Sequence, residues 1–206
     1  MKMKEKTPAE EEVVKDNPVE GEPKTDPKVN KDWRKSPISE AMQKLLERQL
    51  QHEMYNHNMY MSFANFFGVQ GLHLLEEYYE MRANEEYLHH SWIRKYMNDN
   101  DIFFVYPEIP AVEVDYKDNI VPFQLTVDVE IQTTELIYEM IDLAAKEGDW
   151  LTFNWLNGNS EEEGRLCREQ SEEMSISRTA LDIAMDSEAS WLRKEQTIMD
   201  AYKKSN

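Results

Sequence analysis

The stretch RANEEYLHHSW, residues 82–92, carries two glutamates and two histidines inside a longer helical pattern. Glu86 and His89 stand three positions apart, so on a helix they share one face. A carboxylate and an imidazole on one face suit iron, and also manganese or zinc. A single Glu-x-x-His pair is common on solvated helices, however, and a metal centre needs further ligands from other segments.

Three other segments also place a glutamate on a stripe facing inward. These stripes are Leu46, Leu50, Glu53, His57, Tyr60 and Ala64; then Glu130, Thr134, Ile137 and Ile141; then Phe153, Leu156, Ser160, Glu163, Cys167, Gln170 and Met174. A buried carboxylate without a partner is costly and takes up a proton instead. Four of them together are tolerable only if cations lie among them. Glutamates from several helices plus Glu-x-x-His are the ligand set of a di-iron carboxylate centre.

The elements that must position these residues are helices. Periodicity and turn signals predict helices over about 40–67, 72–98, 124–146, 150–174 (with a continuation to 185) and 188–203. The Pro-marked segment between the second and third helices is long for a connection without a helix, and it fits a crossover along a bundle. The predicted fold is therefore all-α: a ferritin-like four-helix bundle with a long crossover and a short fifth C-terminal helix.

Composition limits the function classes. The 206 residues carry a net charge of −18, which disfavours nucleic acid as a partner and favours cations. Residues 1–37 are rich in Pro, Glu and Lys, and we predict a flexible tail there, followed by one domain over 38–206. The single cysteine, the absence of an apolar leader and the absence of a long apolar run predict a cytoplasmic protein without a membrane partner.

From about Ser39 to the C-terminus the chain resembles the bacterial non-haem ferritins. The resemblance rests on HEMYNHNMY (Glu53, Tyr60), ANEEYLHH (Glu86, His89), Glu130, and GDWLTFNWL at the start of the fourth helix. The segment DSEASWLRKEQ falls where that family has its short fifth helix.

The resemblance implies a shell of 24 identical subunits that takes up Fe(II), oxidises it with dioxygen or peroxide at an intrabundle di-iron centre, and stores a ferric mineral. It implies a first iron site at Glu53, Glu86 and His89, with Glu86 bridging to a second site at Glu130 and Glu163. Tyr60 would be the catalytic tyrosine that hydrogen-bonds a ligand or supplies an electron. The negative charge would attract Fe(II).

The fourth helix departs from the family pattern. It reads NSEEEGRLCRE, so the position three residues after Glu163 is Leu166; in the alternative register Glu162 pairs with Arg165. Either register removes an expected ligand, which predicts a weakened second site. A third, outer site built on Glu85 and Glu162 would be disturbed by Arg165.

These departures keep a second function open: a storage or scaffold subunit whose ferroxidase centre is degraded and slow. A rubrerythrin-like or DNA-protecting relative is disfavoured by the fifth helix, and the chain has no Cys-x-x-Cys module. His57, one turn after Glu53, is either a hydrogen-bonded packing residue or a further ligand. His52, His73 and His90 are predicted on outer faces.

Overall fold

The computed structural model describes residues 35–158 and 165–205. These residues form six helices: α1 (Glu40–Val69), α2 (His73–Asp99), α3 (Val121–Glu147), α4 (Trp150–Asn157), α5 (Arg165–Met185) and α6 (Trp191–Ser205). The described residues contain no strand, and the prediction of an all-α, ferritin-like bundle with a short fifth helix is confirmed. The structure does not describe residues 1–34, so the flexible tail predicted there stays a prediction.

Local sequence signals set several helix ends. Ser39 begins α1 as its N-cap, and its side chain accepts a hydrogen bond from the backbone N–H of Met42 at 3.1 Å. Gly148 ends α3 in the left-handed conformation, with φ at 70°, a region that glycine enters without steric cost. Asp149 then caps α4 by accepting from the N–H of Thr152. The predicted ends of these helices are therefore close to the observed ones.

The prediction of one unbroken fourth helix is wrong. Helix α4 ends at Asn157, and Gly158 has an extended backbone with ψ at 153°. Helix α5 begins only at Arg165, and residues 159–164 lie outside the described part. Asn157 and Gly158 open the sequence NGNS, whose residues have low helix propensity and favour turns.

The segment between α2 and α3 connects the two halves of the bundle without regular structure. Its FFVY and VEVDY stretches form no strand. Tyr106 of this segment lies over His90, with ring centroids 5.7 Å apart. His90 is buried, and its Nδ1–H donates to the carbonyl oxygen of Leu50 at 3.1 Å, so its placement on an outer face was wrong. The covering crossover, which helical periodicity does not reveal, is the reason.

Two apolar clusters fill the bundle, and every long helix contributes to both. One cluster contains Leu50, Ile93, Ile137 and Leu166, and the other contains Tyr60, Ala83, Val129 and Ile176. Each of the long helices α1, α2, α3 and α5 has a buried glutamate, and in the sequence this glutamate lies between residues of one cluster and residues of the other. The apolar packing on both sides therefore positions a polar layer across the middle of the bundle.

Helix α6 packs against α5 and α2. Its buried Glu195 accepts a hydrogen bond from the backbone N–H of Leu74 at 3.0 Å. That N–H belongs to the first turn of α2, whose N-cap residue Leu72 offers no side-chain cap. Glu195 thus supplies the missing cap from another helix. Within the described part of the chain, no helix has an apolar stretch long enough to cross a bilayer.

Candidate metal centre

The first group of potential ligands joins α1 and α2. Ligand atoms of Glu53, Glu86 and His89 all lie within 4.8 Å of one another, and all three side chains are buried. His89 Nδ1 is 3.9 Å from Glu53 Oε2 and 3.7 Å from Glu86 Oε2. Gln49, one turn before Glu53, donates its Nε2 hydrogen to Glu53 Oε1 at 2.6 Å and orients that carboxylate. The structure thus brings together the three residues that the resemblance to bacterial non-haem ferritins implied for a first site.

The second group shares Glu86 with the first. Its other members are Glu130 of α3 and Glu173 of α5, again with ligand atoms within 4.8 Å of one another. Gln170, one turn before Glu173, donates to Glu130 Oε2 at 2.8 Å and to the Glu130 carbonyl at 3.1 Å. Four carboxylates from four helices therefore meet in one buried layer.

Many polar atoms of this layer lack a hydrogen-bond partner within the described residues. Among them are Glu53 Oε2, both carboxylate oxygens of Glu86, His89 Nδ1 and Glu173 Oε2. Buried polar atoms are rarely left without a partner, because each one costs about 1–3 kcal/mol. The unsatisfied atoms are the ones that converge, and they are hard oxygen and imidazole nitrogen donors. This donor set fits a pair of divalent cations.

The charges in the layer shift one another's pKa values. Burial and the charge of Glu86 raise the pKa of Glu53 well above its ordinary value. Burial acts on Glu86 too, but the positive charge of His89, whose Nδ1 lies 3.7 Å from Glu86 Oε2, outweighs it, and the Glu86 pKa is lowered to about 2. Burial raises the pKa of Glu173 well above its ordinary range and also raises that of Glu130. The His89 pKa is raised despite burial, chiefly by the charge of Glu173.

A buried arginine stands next to the second group. Arg82 lies one turn before Glu86 on α2 and is fully buried. Its Nη2 donates to Glu130 Oε1 at 2.5 Å and lies 3.8 Å from Glu173 Oε2. The charges of Glu173 and Glu130 raise the Arg82 pKa even though burial opposes it. The polar layer therefore contains a permanent positive charge of the chain itself.

Tyr60 lies beside the same glutamate. Its hydroxyl donates to Glu130 Oε1 at 2.6 Å, and its ring faces the Arg82 guanidinium, 5.5 Å from the ring centroid. Burial and the charge of Glu130 raise the pKa of Tyr60 well above its ordinary value, so the phenol keeps its proton. Tyr60 therefore lies beside the ligand groups, and its catalytic role, which the resemblance implied, stays a prediction.

Glu173 is the residue that the sequence analysis missed. The predicted ligand on that part of the chain, Glu163, lies outside the described residues and stays a prediction. Leu166 was interpreted from the sequence as a lost ligand. In the structure its side chain packs with Leu156 in an apolar cluster, so no polar ligand is missing at this position. The register that placed Leu166 at the second site is therefore wrong, while the register with Glu162 and Arg165 stays a prediction, because Glu162 and the side chain of Arg165 lie outside the described part. The stripe of buried residues on α5 runs Leu166, Gln170, Glu173, Ser177, Ala180 and Ala184, and this spacing could have revealed Glu173.

The remaining histidines and outer carboxylates have their own partners. His57 Nδ1 lies 2.8 Å from the Ala83 carbonyl, which agrees with a packed, hydrogen-bonded role. His52 Nε2 lies 2.8 Å from Thr133 Oγ1. Of the predicted outer site, Glu162 lies outside the described residues, while Glu85 accepts hydrogen bonds from Arg82 and from Tyr202. Glu169 approaches His89 Nε2 at 3.4 Å from the outer side.

Comparison with known proteins places this arrangement in a family. The family model of the ferritin-like domain matches residues 43–173. The chain is 27% identical over 164 residues to a bacterial non-heme ferritin of Staphylococcus saprophyticus, covering 78% of this chain and 94% of that protein. It is 23% identical over 163 residues to a bacterial non-heme ferritin of Staphylococcus aureus, with 77% and 94% covered.

Solved structures give the same fold. An open pore ferritin from the hyperthermophilic archaeon Archaeoglobus fulgidus superimposes with a TM-score of 0.70 at 21% identity, covering 79% of this chain and 98% of that one. A humanized archaeal ferritin gives a TM-score of 0.70, also at 21% identity. At this identity the structural likeness concerns the fold alone.

Proposed function

The chain belongs to the family of ferritin-like domains, and from this premise we propose that it is an iron-storage protein with ferroxidase activity. Its substrate and cargo is Fe(II), and the electron acceptor is dioxygen or peroxide. The observation that carries the proposal is the buried layer in which two ligand groups share Glu86. The names of the relatives, bacterial non-heme ferritins, support the same assignment.

In this proposal the chain's residues hold two Fe(II) ions side by side. Glu53 and His89 bind the first ion, Glu130 and Glu173 bind the second, and Glu86 contacts both. Two Fe(II) ions together supply the two electrons that reduce dioxygen to hydrogen peroxide with the uptake of two protons. Gln49 and Gln170 orient the carboxylates of Glu53 and Glu130. The surrounding apolar clusters exclude bulk water from the layer.

Tyr60 has a proposed role at the second position. Its hydroxyl positions the Glu130 carboxylate by a short hydrogen bond, and its buried ring lies close enough to the layer to supply an electron. Glu163, selected from the sequence, stays a candidate ligand that the described residues do not include.

We further propose that the chain assembles into a closed shell of 24 copies in the cytoplasm, where the ferric product is stored. The net charge of −18 would serve such a shell, because acidic channels and an acidic inner wall would attract Fe(II). Twenty-four chains of 24.5 kDa would give a particle of about 590 kDa, which light scattering would detect. Monomers or dimers at micromolar concentration would contradict the shell.

The alternative is a storage or scaffold subunit with a slow centre. Leu166 no longer supports it, because that side chain is part of an apolar cluster. The ion pair between Arg82 and Glu130 does support it, since a cation of the chain already engages one of the ligands.

Single-turnover oxidation tests the proposal. We expect the purified protein to oxidise about two Fe(II) per chain rapidly in air, and Glu86→Ala to slow this phase by about 100-fold or more, because both positions lose a ligand at once. The control is Glu80→Ala, an exposed glutamate of α2. A slow rate in the wild-type chain that Glu86→Ala leaves unchanged would favour the scaffold alternative.

A further inference from the structure

The buried guanidinium of Arg82 contacts the second ligand group and not the first. Its Nη2 is 2.5 Å from Glu130 Oε1 and 3.8 Å from Glu173 Oε2, so one nitrogen interacts with two of the three carboxylates of that group. The same Nη2 lies 3.5 Å from Ser177 Oγ. Among the described residues, the ion pairs of Arg82 are with Glu85, Glu130 and Glu173, and not with Glu53.

Arg82 is held in this position from the outer side. Its Nη1 donates to Glu85 Oε2 at 2.9 Å. Glu85 Oε1 in turn accepts the hydroxyl hydrogen of Tyr202, on helix α6, at 2.5 Å. A continuous path of hydrogen bonds therefore runs from α6 through Glu85 and Arg82 to Glu130. The tyrosine ring of Tyr60 covers one face of the guanidinium.

The two ligand groups consequently differ in how far their donor atoms are engaged. In the first group, Glu53 Oε2, both oxygens of Glu86 and His89 Nδ1 have no hydrogen-bond partner. In the second group, Glu130 Oε1 accepts from Tyr60 and Arg82, and Glu130 Oε2 accepts from Gln170. Glu173 Oε2 of the second group also has no hydrogen-bond partner within the described residues, and Glu86 belongs to both groups. The two groups therefore differ at Glu130, because both of its carboxylate oxygens accept hydrogen bonds and one of them pairs with Arg82.

We propose that Arg82 is a built-in counter-cation of the second ligand group, which makes that group bind a divalent cation more weakly than the group of Glu53, Glu86 and His89. The inference deepens the proposed function and rests on it, because it concerns the order in which the two metal positions fill.

The reason is competition and repulsion in a region of low dielectric. An incoming cation must take Glu130 and Glu173 away from Arg82, and then remains within a few ångströms of a positive charge that has no solvent to screen it. Arginine does not lose its proton at any ordinary pH, so the repulsion cannot be relieved by titration. The first position therefore fills alone at low metal concentration, and the second fills only at higher concentration.

The difference is measurable in the wild-type chain. Anaerobic titration of the full-length, chelator-treated protein with Co(II), followed by visible absorption, should show one tight ion per chain and a second that binds about tenfold more weakly or worse. Subtracting the titration of Glu86→Ala removes binding outside the layer. Two ions of equal affinity in the wild-type chain would overturn the inference.

Neutralising the arginine should remove the difference. In Arg82→Gln we expect the two dissociation constants to approach each other to within about threefold, because the amide carries no charge. Arg94→Gln, which changes an exposed arginine of the same helix, should behave as the wild type. Arg82→Lys retains the charge and should retain a weak second position. An unchanged ratio in Arg82→Gln would overturn the inference.

The outcomes separate the inference from the function on which it rests. If wild type and Glu86→Ala bind Co(II) identically, no metal enters the layer and the proposed function fails with the inference. If wild type binds two ions equally, the proposed function survives and only the role of Arg82 fails. If Arg82→Gln does not fold, the wild-type ratio and Arg82→Lys still decide: a lysine variant with two equal positions would contradict the role of charge.

Discussion

Glu86 is the residue on which the centre depends, because it belongs to both ligand groups. Both of its carboxylate oxygens are buried without a hydrogen-bond partner, although its pKa is lowered to about 2. An ionised carboxylate with this burial is stable only beside positive charge. His89 supplies part of that charge, and bound cations would supply the rest.

At the residue scale, Tyr60→Phe tests the hydrogen bond to Glu130. Loss of a buried hydrogen bond to a carboxylate should lower the free energy of unfolding by about 1–3 kcal/mol, measured by chemical denaturation without added metal. Tyr138→Phe changes an exposed tyrosine of α3 and should have almost no effect. If the two variants were equally stable, the hydroxyl of Tyr60 would not position Glu130.

Single residues of the centre were predictable where a helix was unbroken. Glu53 lies between Leu50 and Tyr60 on one stripe, and Glu86 and His89 share one face, so periodicity was sufficient. Glu130 followed from the same reasoning on α3. The role of Arg82 could not be predicted in this way, because a basic residue on an inner stripe can be interpreted only when its partners Glu130 and Glu85 are known from the structure.

At the element scale, the failure to find Glu173 has one cause. The inner stripe of the fourth helix was extended from Phe153 through Glu163 as if the helix were continuous. The helix ends at Asn157 and a new one begins at Arg165, so the angular phase of the first segment does not carry into the second. Read from Leu166 onward, the buried stripe leads to Gln170 and Glu173.

The capping of α2 by α6 gives a prediction at the same scale. Glu195→Ala should lower the free energy of unfolding by about 1–2 kcal/mol, because the partly buried N–H of Leu74 loses its acceptor. Glu80→Ala, an exposed change on α2, is the matched control and should stay within about 0.5 kcal/mol of the wild type. Equal effects of the two changes would mean that α6 does not cap α2.

At the scale of the whole molecule, stability should depend on pH and metal together. The pKa values of Glu53 and Glu173 are raised in the folded chain above the ordinary glutamate value of 4.5. The free energy of unfolding that these two groups contribute is therefore fully present below about pH 4.5, and it is lost as the pH rises through the raised pKa values. A bound cation requires the deprotonated forms and reverses this loss.

We therefore expect the rise in melting temperature caused by Zn(II) to be larger at pH 7.5 than at pH 5.5, as measured by calorimetry at equal free metal concentration. Glu86→Ala should show little rise at either pH. An equal rise at both pH values would indicate that metal binds to groups other than the buried glutamates.

The fold as a whole was predictable because each long helix has an apolar stripe, and because residues such as Ser39 and Gly148 mark helix ends. The contact of Tyr106 with His90 could not be predicted from the sequence. The crossover between α2 and α3 has no hydrophobic periodicity that would indicate which surface it covers. The overall architecture therefore followed from local patterns, while contacts between distant segments required the structure.

The most direct test of the central claim is anomalous diffraction from crystals of the full chain soaked with Zn(II). We predict two anomalous peaks per chain inside the bundle, one contacted by Glu53, Glu86 and His89 and the other by Glu86, Glu130 and Glu173. Crystals in which Zn(II) binds only at the surface, with no peak in contact with Glu86, would contradict the account.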